Sequence, residues 1–99
     1  MSPDQITAAL TAGEDALRRR IIGTSQHALL AVLCTHADAQ GRFWATAREI
    51  GSWAGLRDRI TRRHLAILED AGLLWCGHEH GAAAAMGQSY RVIAGTEAR

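Results

Sequence analysis

Thr46-Ala-Arg-Glu-Ile-Gly-Ser-Trp-Ala-Gly-Leu-Arg-Asp-Arg-Ile-Thr-Arg-Arg-His-Leu-Ala-Ile-Leu-Glu-Asp-Ala-Gly-Leu-Leu74 is the stretch that decides the fold. Thr46 and Glu49 have capping-box spacing: the hydroxyl takes the Glu49 amide and the carboxylate returns a bond to the cap. Ile50, Trp53 and Ala54 then follow the i, i+3, i+4 stripe of a short helix, which Gly55 ends. A longer helix is expected over 58–71, with Gly72 as its left-handed terminator and Leu73 placed to touch Leu68. A short helix, a three-residue break with glycine and a longer helix is helix-turn-helix spacing.

The longer helix divides by angle at about 100° per residue. With Ile60 at zero, His64, Ile67, Leu68 and Ala71 fall on its side, and Thr61 and Leu65 extend that arc. This predicts a wide core face. Arg59, Arg62, Arg63 and Ala66 fall opposite. Glu69 and Asp70 close the helix with charge that repels phosphate. The N-terminal half is therefore the half suited to a polyanion. Arg59 and Arg62 are candidates for base edges, since arginine pairs in bidentate fashion with guanine. Arg57, Arg63, Arg42 and Arg48 are candidates for phosphate.

Upstream, Ser2-Pro3-Asp4 reads as a cap, a first-turn proline and a first-turn acid. It predicts a helix over 3–12, an interruption at Gly13 and a second helical stretch over 14–22. Each carries a thin apolar stripe that needs a surface, on the domain or on a second copy. Thr24 or Ser25 would cap a helix over 25–37 whose centre, Ala28 to Cys34, is apolar nearly all round and hence buried. Residues 42–45 read as extended. Downstream, 73–76 and 89–93 read as the two strands of a hairpin around a loop at 77–87.

The segments thus fall into a helical extension over 1–23, a domain over 24–93 and a tail over 94–99. The fold expected is mainly α with a small β-hairpin. The chain of 99 residues suits one domain, and 47 % apolar with 21 % charged residues is globular composition. All eleven basic residues are arginine. The absence of lysine removes P-loop, Schiff-base and lysine-base chemistry. Net charge is only +1, yet residues 42–63 hold six arginines against Glu49 and Asp58. A local basic patch can bind a polyanion when the whole chain is near neutral.

Residues 25–93 resemble winged helix-turn-helix domains of bacteria, phages and plasmids, especially in replication proteins and small transcriptional regulators. The resemblance rests on His27-Ala-Leu-Leu-Ala-Val-Leu33, Ala37-Asp-Ala-Gln-Gly-Arg-Phe-Trp44, Ala47-Arg-Glu-Ile-Gly51, Ala54-Gly-Leu56, Arg62 through Leu74, and Tyr90-Arg-Val-Ile93. It implies binding of double-stranded DNA, often as a dimer, with the hairpin as a wing over the backbone. Two features depart from it. Thr61 and His64 stand where family members often carry apolar residues. Residues 77–87 contain no arginine and include Glu79, so this wing suits phosphate poorly and its Ala82–Met86 tip suits a protein partner. A homodimer through the N-terminal helices is a further expectation. The rival reading is an interaction module that binds protein through the same fold.

No catalytic grouping is legible: no paired carboxylates, no Ser/His/Asp motif, no phosphate-cradling glycine loop. A non-enzymatic protein without cofactor is expected. Cys76, His78 and His80 alternate and would share one strand face, which could supply three metal ligands. No fourth ligand or CxxC accompanies them, and a half-exposed polar strand explains them as well, so no metal is assigned. Trp44, Trp53 and Trp75 could stack bases, but core packing is the expectation for each. His64 is expected to face the core with a local partner. Cys34 and Cys76 read as reduced, buried thiols. The longest apolar run, Ala28 to Cys34, is far short of a membrane span. With Asp4 early and no apolar signal core, a soluble cytoplasmic protein is expected.

Overall fold

The computed structural model describes residues 1–93; the tail expected over 94–99 lies outside the described residues. The elements run α1 (Pro3–Arg18), α2 (Thr24–His36), β1 (Arg42–Ala45), α3 (Ala47–Ala54), α4 (Asp58–Asp70), β2 (Leu74–Cys76), α5 (Ala82–Ala85) and β3 (Gln88–Val92).

α1 begins as its first residues dictate. The Ser2 hydroxyl accepts from the Gln5 amide at 3.2 Å, and the Gln5 side chain returns a bond to the Ser2 amide at 2.8 Å. The expected break at Gly13 does not occur: one helix runs through it. Gly13 is instead the contact point of α1 with α2. A Cβ there would sit 2.9 Å from both His27 Cδ2 and Leu30 Cδ2. The close approach outweighs glycine's helix penalty of about 1 kcal/mol. The thin stripe of α1 is thereby covered within the chain, and Ala9 and Ala16 join the central core.

The turn that ends α1 passes through Arg20, whose φ is +60°. The Arg20 and Ile21 amides donate to the Leu17 and Ala16 carbonyls, the hydrogen-bond pattern of a glycine-type helix end carried by an arginine. α2 is capped by Gly23 rather than by Thr24 or Ser25, with the Gln26 side chain accepting from the Gly23 amide at 2.6 Å. Leu29, Leu30, Leu33 and Cys34 of α2 are buried among α1, α3, α4 and β3, whereas Ala28 is exposed and Ala31 and Val32 are half-buried, so the run is not buried all round as expected.

The sheet has three strands rather than the two of the expected hairpin. Its order is β1-β3-β2, with both pairings antiparallel. β1 joins by pairing Phe43 with Tyr90 and Trp44 with Ser89, while Trp75 of β2 pairs with Arg91. Burial alternates along β3: Tyr90 and Val92 face the core and Arg91 faces out. Phe43 stacks on Tyr90 at 5.1 Å and meets Trp53 edge-on, and Trp53 stacks on His36 at 3.7 Å. These rings join β1, β3, α3 and α2.

Trp53 thus packs as expected, whereas Trp44 and Trp75 are 52 % and 53 % exposed. Both lie on the outer sheet face because the period of two puts them opposite the inward Phe43 and Leu74. Trp44 still anchors: its indole N–H donates to the Met86 carbonyl at 2.9 Å. The expected loop at 77–87 contains the single turn α5.

Candidate nucleic-acid interface

The helix pair is built as its sequence demands. Thr46 and Glu49 exchange both capping bonds, at 3.0 and 2.9 Å. Gly55 takes φ +70°, which glycine adopts without a Cβ penalty. The Leu56 amide then closes on the Gly51 carbonyl at 2.8 Å. At the far end Gly72 takes φ +76°, and the Leu73 amide donates to the Leu68 carbonyl at 3.0 Å. Both ends of the unit are therefore fixed by backbone bonds.

The buried line of α4 is Thr61, Leu65 and Leu68, while Ile60 is exposed. The core face is rotated from the expected one, which had Ile60 near its middle. Thr61 can be buried because its hydroxyl donates to the Arg57 carbonyl at 2.9 Å, leaving a methyl to pack. His64 faces inward with a partner: its Nδ1 lies 2.7 Å from Gln26 Nε2 on α2. That partner is far along the chain, so spacing in the sequence gave no sign of it.

The rotation also redistributes the arginines. Arg59 and Arg63 lie roughly opposite the buried line, at the outermost part of α4. Arg62 moves to the flank, where it lines a groove with Thr46, Ala47 and Arg48 on one wall and Cys76, Gln88 and Tyr90 on the hairpin. All six candidate arginines are exposed. Among the described residues none of Arg48, Arg57, Arg59, Arg62 and Arg63 forms an ion pair. Arg42 is set apart. It lies on β1, across from Arg91, and is held loosely by Asp38 at 3.9 Å. Asp38 itself accepts from the Arg42 and Gln40 amides, which hold its carboxyl below the ordinary range. By contrast Arg18 and Arg19 both reach Asp15 at 3.5 Å.

The groove floor between α4 and the hairpin carries Glu69, Cys76 and His78. His78 Nε2 lies 2.7 Å from Glu69 Oε1. Burial pushes the Cys76 thiol up, as it does the Cys34 thiol. Cys76 is half-buried rather than buried as expected. Burial is likewise the chief cause that keeps the Tyr90 hydroxyl neutral. The hairpin tip beyond is uncharged, and Met86 is its most exposed apolar side chain. The outer sheet face with Trp44, Trp75 and Arg42 escaped the sequence reading; β1 joining the sheet was the missing fact.

A helix pair joined by residues 55–57, with a β-hairpin folded against its second helix, defines a winged helix-turn-helix domain. A family model described as a helix-turn-helix domain matches residues 20–74, and the chain belongs to that family. No curated protein and no solved structure matches it. Helix-turn-helix domains are DNA-binding modules as a class. Among the described residues no helix is long and apolar enough to cross a membrane.

Proposed function

We propose that this protein binds double-stranded DNA by laying the N-terminal half of α4 in the major groove, and that it acts without catalysis as a small transcriptional regulator or a replication or mobile-element accessory factor. The observation that carries this reading is the set of five exposed arginines on and beside α4 that no carboxylate of the described chain neutralises. Arg59 and Arg63 are four apart and repel each other, a cost that a phosphate backbone removes. Glu69 and Asp70 at the other end of α4 set the polarity of docking. Arg59 and Arg62 are assigned to base edges, and Arg57, Arg63 and Arg48 to phosphate. Arg42 is also assigned to phosphate, although it stands apart from them on β1.

The test is fluorescence anisotropy of labelled random duplex with the full chain across a salt series. Micromolar or tighter binding at low salt that weakens steeply as salt rises supports the reading. No binding at low salt defeats it and favours the rival, a protein-binding module. The feature behind that rival is the uncharged hairpin tip with exposed Met86. A homodimer through the N-terminal helical segment is a separate part of the proposal, resting on exposed Ile21 in the turn just beyond α1. Sedimentation velocity decides it, with a monomer at all concentrations ruling it out.

A further inference from the structure

The cluster under the groove has the composition of a metal site. Glu69 comes from the last turn of α4, Cys76 from the end of β2 and His78 from the loop that follows. A carboxylate oxygen, a thiol sulfur and an imidazole nitrogen from these three lie within 4.8 Å of one another. The sequence spacing suggested Cys76, His78 and His80; the fold replaces His80 with Glu69, a residue from a different element.

Three further features support a built site. His78 is in the left-handed region at φ +52°, a conformation uncommon for any residue but glycine, though more often taken by histidine than by most, and one that also occurs at functional sites. Its amide donates to the Cys76 sulfur at 3.4 Å. Such an outer donor orients a ligand and stabilises its thiolate form. Finally, the cluster opens into the groove between α4 and the hairpin, so an ion has a route in and a water can complete its shell.

We propose that Glu69, Cys76 and His78 bind a divalent zinc-class ion, with water as the fourth ligand. The donor set decides the class. Thiolate and imidazole select zinc, cobalt or nickel over magnesium and calcium, which take oxygen. Three protein ligands and an open position suit a tetrahedral ion. Its bond lengths of about 2.0–2.1 Å to nitrogen and oxygen require the 2.7 Å Glu69–His78 contact to widen by roughly half an ångström. His78 is two-thirds exposed at its side chain and free to make that shift. The thiol proton leaves to solvent on binding, so affinity rises with pH. The ion ties the C-terminal turn of α4 to the hairpin. The site stands whether or not the protein binds DNA.

Cobalt(II) titration of the full, reduced chain tests this. A near-ultraviolet sulfur-to-cobalt charge-transfer band that saturates at one cobalt per chain, with tetrahedral visible bands and displacement by zinc, is the expected result. Cys76→Ser abolishes the charge-transfer band. Glu69→Gln and His78→Gln each weaken binding by about tenfold or more, at least the loss that an outer-shell change brings. Cys34→Ser and His80→Gln leave the titration unchanged, with circular dichroism confirming that every variant is folded. Absence of the band in the wild-type chain, or its survival in Cys76→Ser, overturns the proposal. Equal loss in His80→Gln and His78→Gln overturns the ligand assignment.

Discussion

A Cβ added to Gly51 would lie 2.8 Å from the Thr61 hydroxyl and 2.5 Å from the Leu56 carbonyl oxygen. α3 and α4 therefore cross with no room for a methyl group between them. Gly51→Ala must push the helices apart or bend the turn, and backbone cannot yield as a side-chain tip can. It should cost about 1–3 kcal/mol, as overpacking does. Gly55→Ala meets open space but keeps a left-handed φ, so its cost should be about 1 kcal/mol. Urea denaturation of the two variants gives the comparison, and equal stability of Gly51→Ala and wild type would refute the close crossing.

Arg20 holds the left-handed end of α1, where glycine is the ordinary occupant. Arg20→Gly relieves that strain and should stabilise the fold by up to about 1 kcal/mol, less the extra backbone entropy glycine brings to the unfolded chain. Thermal unfolding reads the shift. A lower midpoint would show that the arginine makes a compensating contact.

For the arginines, single alanine variants separate two roles. Removing a phosphate contact at Arg57, Arg63 or Arg48 should weaken binding to all duplexes and lower the salt slope by about one. Removing a base contact at Arg59 or Arg62 should cost about 1–3 kcal/mol on the best sequence and less on random duplex. Arg42→Ala should be the mildest. Unfolding midpoints should stay near wild type throughout, since every one of these side chains is exposed. Unchanged binding by the Arg59→Ala/Arg62→Ala pair would remove α4 as the reading helix.

The helix-turn-helix was readable because each of its punctuation marks is local. Thr46 with Glu49, Gly55 and Gly72 act within one turn of themselves. What could not be read depends on distant parts of the chain. Gly13 looks like a helix breaker until His27 and Leu30 press against it. Ile60 looks central until α2 and β2 pack against α4 and take the face of Thr61, Leu65 and Leu68 instead. Trp44 and Trp75 look like core until β1 lies beside β3 and fixes which face each takes. Glu69 could not be joined to Cys76 and His78 from spacing, because the hairpin has to fold back on α4 first.

The tryptophans give an optical check of that sheet. Trp44 and Trp75 should be quenched readily by iodide, while Trp53, stacked on His36 and met edge-on by Phe43, should be protected. Single Trp→Phe variants assign the signals. Strong protection of both Trp44 and Trp75 in the free protein would show that another surface covers the outer face.

The two thiols should differ in reactivity. Burial raises both above the ordinary cysteine value, so little thiolate exists at neutral pH and alkylation accelerates only in alkaline solution. Cys34 is buried in the core and Cys76 opens to the groove, so Cys76 should be modified first. Iodoacetamide labelling followed by peptide mapping distinguishes them. Faster labelling of Cys34 would contradict the packing of α2.

The bond from the Trp44 indole to the Met86 carbonyl ties the hairpin tip to β1. Two residues after Trp44 the chain reaches Thr46, which caps α3. Only Ala45 therefore separates the residue that holds the hairpin tip from the one that starts the helix pair.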